Sequence, residues 1–137
     1  MLKVTADTNI YISALNFGGK PLQLLEAARS GQIELAISNA IITEMSRILH
    51  HKFYWKREDI ADAVEQILEF AKYVHPDERI DVVTTDPDDN RVLECAVKAG
   101  SDAIVSGDTD LLMLGSFRGM DVVSPSDFVT RLETRQQ

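Results

Sequence analysis

Four carboxylates, Asp7, Glu44, Asp89 and Asp108, are scattered over a chain of 137 residues, yet each stands near the junction of an apolar run and a helix. Asp7 ends LKVTA and Asp108 follows DAIVS. Glu44 lies about a turn and a half into the helix that leaves IELAIS. Asp88 and Asp89 open the helix ahead of DAIVS. Taken singly, each has an ordinary explanation: Asp is a common helix N-cap, and Glu is at home on a solvated helix face. Asp110, just beyond Asp108, would likewise favour a helix N-terminus. Taken together, they converge. In open parallel sheets ligands gather at the carboxyl ends of the strands, and these junctions all offer acids to that rim.

Four carboxylates roughly 5 Å apart repel by ~3 kcal/mol per pair at an effective dielectric near 20, so a cation is needed to hold them. Oxygen-only ligands select Mg²⁺ or Mn²⁺ over zinc. His50, His51 and His75 are not spaced to complete a zinc site with these acids. A carboxylate-held metal pair serves phosphoryl chemistry, lowering the pKa of a bound water and stabilising the leaving oxygen. No Ser-His-Asp order, Walker loop or GxGxxG motif offers another route.

The elements that must position these acids are legible. Residues 2–6 read as a strand, followed by a helix to about Leu15, a Gly18-Gly19 break and a second helix from Pro21 to Gly31. IELAIS (33–38) is a buried strand by length and flanks, and Ser38 or Asn39 caps the helix IITEMSRILHHKF. Residues 57–73 carry apolar side chains at 60, 64, 67, 68 and 71, the spacing of an amphipathic helix. A polar stretch with Pro76 and Pro87 follows. Then come the helix DNRVLECAVKAG, the strand DAIVS, the helix GDTDLLMLGS, the strand MDVVS and a last helix from Pro125. Alternating strands and helices, with strands apolar throughout, predict an α/β fold: a three-layer α/β/α sandwich around a central parallel sheet. The length fits one domain, residues 1–137.

Composition is that of an ordinary globular chain, 45% hydrophobic and 26% charged. No apolar run approaches the ~20 residues needed to span a bilayer, and the start reads as strand and helix, not as a signal peptide. The lone Cys95 forms no internal disulfide and lies in an apolar helical stretch. A buried thiol and a cytoplasmic setting are expected. The formal net charge of −8 is unusual for a protein that meets a phosphate backbone. It is reconciled if many of the acids sit in one metal site.

The segments ADTNIYISAL, SNAIITEMSRIL, DPDDNRVLECAVKAGSDAIVSGDTDLL and VVSPSDF resemble the PIN-domain family, and within it the bacterial and archaeal toxin-like branch related to VapC-type toxins. The likeness covers nearly the whole chain in order and is most specific from Asp86 through Leu112. It implies a Mg²⁺- or Mn²⁺-dependent endoribonuclease acting on single-stranded RNA, the toxin of a toxin–antitoxin pair. A cognate antitoxin and a homodimer are the partners it makes plausible. The family's acids fall on Asp7, Glu44, Asp108 and, within DPDDN, on Asp89 or its neighbour Asp88. Asp110 matches an additional acid that some members carry. Thr8, Asn9 and Ser106 match polar neighbours that order the site, with Asn9 and Ser106 hydrogen-bonding the carboxylates.

HHKFYWKR (50–57) gathers aromatics and bases and is the natural place to look for RNA contact through Lys52, Lys56 and Arg57. The competing expectation is that Phe53, Tyr54 and Trp55 pack two helices together. A haloacid-dehalogenase-like phosphatase would need Asp where Asn9 stands, and a receiver domain would need a late Lys that is missing. The alternative from another class is a non-catalytic RNA-binding or partner-binding module on the same fold.

Overall fold

The apolar runs become neighbouring strands. In a computed structural model that describes residues 1–135, β1 (Leu2–Ala6) pairs in parallel with β2 (Ile33–Ser38), Leu2 opposite Ile33. Consecutive residues of β1 from Val4 to Ala6 are all buried, so both faces of the sheet are covered. Helix α1 (Thr8–Phe17) starts where β1 ends, with Asp7 as its N-cap, and α2 (Gly19–Arg29) leads into β2. Ser38 closes β2 and caps α3 (Asn39–His51), its hydroxyl accepting from the Ile41 amide at 3.5 Å. Helix α4 (Arg57–Phe70) follows.

The helix expected to reach residue 73 stops at Phe70. Residues Ala71–Val74 instead form β3, which extends the sheet in parallel beside β2, with Leu35 opposite Ala71. Tyr and Val suit a pleated edge, and the ladder to β2 overrides the helical spacing that ran into it. An irregular segment, 75–87, then crosses to α5 (Asp88–Ala99), which packs on β1 and β2. Strand β4 (Ala103–Val105) lies on the other side of β1, and Val4 faces Ala103.

The helix predicted over 107–116 is a single turn, α6 (Thr109–Leu112). Beyond it a two-residue strand, β5 (Ser116–Phe117), turns back onto β6 (Met120–Val123), and α7 (Pro125–Arg135) follows. Arg118 and Gly119, with φ of 50° and 84°, make the tight turn between β5 and β6. The sheet order is β3-β2-β1-β4-β6-β5, parallel throughout except for β5. Connections leave β1 in opposite directions, first toward β2 and β3 and later to β4. The switch point of the sheet therefore lies at the carboxyl ends of β1 and β4, where open parallel sheets bind their ligands. Right-handed crossovers put α1 to α4 against one face and α5 against the other.

Candidate metal centre

The switch point is where the acids meet. The backbone ladder continues past the strand ends: the Asp7 amide donates to the Val105 carbonyl at 3.0 Å, and the Ser106 amide to that of Val123 at 3.0 Å. Asp7 and Ser106 are thus fixed by the sheet itself. Asp7 is 2% exposed; one oxygen caps α1 through the Ile10 amide at 3.1 Å, and the other accepts the Ser106 hydroxyl. Ser106 Oγ in turn accepts the Asp108 amide at 2.9 Å, and Asp108 caps α6 through the Asp110 amide at 2.7 Å. The ordinary role and the chemical one coexist, because a capping carboxylate keeps spare lone pairs.

Asp86, Asp89 and Asp108 each bring a carboxylate oxygen within 4.8 Å of the others. Of the two acids opening α5, Asp89 faces this cluster and is buried, whereas Asp88 is exposed. Asp89 Oδ2 is buried without a hydrogen-bond partner. Its carboxyl is pushed up to about 8, first by burial and then by the charges of Asp108, Asp86 and Asp7. Burial raises Asp7 to about 6, the Ser106 hydroxyl and the Ile10 amide working against it and Asp108 adding to it. Among the described residues, every ion pair is made by acids other than these. An all-oxygen donor set with one bare buried oxygen and, among the described residues, no ion-paired base fits a hard divalent cation such as Mg²⁺ or Mn²⁺.

Glu44 is half-buried on α3 at the edge of this group. Thr8 Oγ1 donates to its Oε2 at 3.4 Å, and its carboxyl is raised by burial and by the charges of Asp88 and Asp86. Asp110 turns elsewhere, its Oδ2 accepting the Thr85 hydroxyl at 2.7 Å. The Asn9 side chain is exposed and makes no hydrogen bond to the acids, although its backbone amide faces Asp7.

Asp86 escaped the sequence reading. The signal was there in DPDDN, where Asp86 precedes Asp89 by one helical turn, but its position before Pro87 made it look like loop. Its Oδ1 accepts the Asp88 amide at 3.2 Å and its carbonyl the Asp89 amide at 3.0 Å, so it starts α5 while facing the site. Asn90 also went unread. Fully buried, it accepts from the Val82 and Val83 amides at 2.9 and 2.8 Å and donates to the Val83 carbonyl at 2.7 Å.

Lys52, Lys56 and Arg57 lie away from the acids, around the α3–α4 turn. Trp55 Nε1 there donates to Asn16 at 3.0 Å, near the end of α1 and about 13 to 14 Å along that helix from Asp7. Phe53 and Trp55 pack onto the core, Phe53 edge-on to Phe17, while Tyr54 is 86% exposed. A cavity of about 790 Å³ between α3 and α4 is lined by Ile42, Ile60, Val64 and Leu68, with Arg47 and Arg57 at its border. It is separate from the acid cluster.

The sequence matches the PIN domain over residues 3–110. PAE2754 from Pyrobaculum aerophilum has a similar structure, with a TM-score of 0.67 at 15% identity over 97% of this chain and 90% of that one. VapBC2 from Rickettsia felis, solved bound to a DNA fragment from its promoter, gives 0.63 at 13% identity, covering 90% and 98%. Among curated proteins, none matches by sequence. At these identities the two structures speak for the fold, and the domain match speaks for descent. The acid cluster at the switch point, the sheet that builds it and the match over most of the length agree: the chain belongs to the PIN domain family, whose members are generally nucleases.

Proposed function

We propose that this protein is a Mg²⁺- or Mn²⁺-dependent endoribonuclease that hydrolyses single-stranded RNA and is the toxin of a toxin–antitoxin pair. The observation that carries the reading is the bare, buried Asp89 Oδ2 facing Asp86 and Asp108 at the switch point of a PIN fold. Asp7, Asp86, Asp89 and Asp108 would hold the cation. When bound, it makes water more acidic and offsets charge on the scissile phosphate. The chain's own groups do the rest. Glu44, with Oε2 held by Thr8, offers Oε1 to take a proton from the attacking water. Ser106 fixes Asp7 in orientation and keeps one oxygen from swinging away. The water oxygen bonds to phosphorus as the bond from phosphorus to the ribose oxygen breaks, and no protein nucleophile is needed.

The toxin assignment draws on the likeness to VapBC2 from Rickettsia felis, a toxin–antitoxin assembly by its name. The apolar groove between α3 and α4 gives an antitoxin a surface to cover, and a homodimer is the assembly expected in a cytoplasmic setting. Cleavage of an end-labelled single-stranded RNA is expected with Mn²⁺ or Mg²⁺ and not with EDTA. Asp7→Asn and Asp108→Asn should reduce it at least a hundredfold while leaving the fold intact. Cleavage by both variants at the parent rate would sink the assignment.

A further inference from the structure

The segment 80–87 carries Asp86 into the cluster without being strand or helix, so something else must hold it in place. It is tied down at three points. Glu94 Oε2 accepts the Ile80 amide at 2.9 Å, while Arg91 Nη2 donates to the Ile80 carbonyl at 2.9 Å and pairs with Glu94. Asn90 spends its whole side chain on the amides of Val82 and Val83 and the carbonyl of Val83. Asp110 takes the Thr85 hydroxyl, one residue before Asp86. The anchors are one face of α5 and the start of α6, the elements that also present Asp89 and Asp108.

We propose that this segment is a strap whose anchors, Asn90 and Asp110, set the position of Asp86 and so set the affinity for the divalent cation. Asp110 is then a positioning residue acting through Thr85, not a ligand. The proposal rests on the acids being a cation site, as the proposed function holds, but it is tested without RNA. Ion-ligating groups held by hydrogen bonds typically lose 10–100-fold in affinity when those bonds go.

The test is titration of the purified full chain with MnCl₂ by calorimetry, with thermal melts alongside. Asp86→Asn and Asn90→Ala should each weaken Mn²⁺ binding about tenfold or more, and the double variant should bind no more weakly than Asp86→Asn alone. Thr85→Val and Asp110→Ala should weaken it alike. Asp110→Asn, which can still accept the Thr85 hydroxyl, should bind as the parent does. Additive losses in the double variant would overturn the proposal. So would Asp110→Asn as damaging as Asp110→Ala, or an Asn90→Ala that melts lower yet binds Mn²⁺ unchanged. Should Asn90→Ala fail to fold, the Thr85 and Asp110 variants at the surface decide the matter alone. Parent protein that binds Mn²⁺ with the expected variant pattern but does not cut RNA would contradict only the nuclease reading.

Discussion

Asp89 sits buried among three other acids with one oxygen bare, so at neutral pH it keeps its proton until a cation displaces it. Asp89→Asn removes the charge and keeps the shape. The metal-free variant should melt higher than the parent at pH 8, by about 1 kcal/mol or a few degrees. It should also lose most of the Tm rise that Mn²⁺ gives the parent. A lower melting point for the metal-free variant would mean that the Asp89 carboxylate is not strained. Cys95, by contrast, is inert: fully buried, with its thiol pushed up to about 12 by burial. That matches the thiol expected from its apolar neighbours.

At the scale of elements, each acid depends on a strand end or a cap. Ser38 ends β2 and caps α3, the helix that carries Glu44. Ser38→Ala should lower stability by about 1 kcal/mol, read as a urea midpoint shift at unchanged slope. The long apolar runs made β1, β2, β4 and β6 readable in the sequence, and with them the rim where Asp7 and Asp108 lie. Strand β3 was hidden because Ala71 continues a helical spacing; only pairing with β2 reveals it. Strand β5 has two residues and no periodicity to read. Asp86 and Asn90 were missed for a related reason. Their roles depend on hydrogen bonds within an irregular segment, and no period encodes those. The bases of the α3–α4 turn were visible as a patch, but their distance from the acids belongs to the length of α1.

Over the whole molecule, the net charge of −8 is unevenly placed: Asp7, Glu44, Asp86, Asp88, Asp89 and Asp108 share one rim. Among the described residues no helix is long and apolar enough to cross a membrane. The crowding should make stability pH-dependent. Asp7 and Asp89 bind protons more tightly in the folded chain than at the ordinary value of 3.8, up to about 6 and about 8. The folded state therefore holds more protons in that window, and its stability falls as pH rises through it. In EDTA, Tm should drop between pH 6 and pH 8. With millimolar Mn²⁺ the drop should vanish, and calorimetry in two buffers should detect proton release on binding. A Tm that climbs with pH in EDTA would contradict this account of the two carboxyls.

The seam between β1 and β4 and the strap ending at Asp86 belong to different layers of local opening. The Asp7 and Ser106 amides are bonded across the centre of the sheet, whereas the Val82 and Val83 amides rest on one side chain. In deuterated water, Asp7 and Ser106 should exchange only when the whole chain unfolds, and Val82 and Val83 through small excursions of the strap. Asp7 is therefore set by the sheet before any ion arrives, whereas Asp86 comes in on a segment held by side-chain hydrogen bonds. Mn²⁺ should slow exchange at Val82 and Val83 well beyond its effect on global stability, so that binding the ion is also the act that quiets the loop.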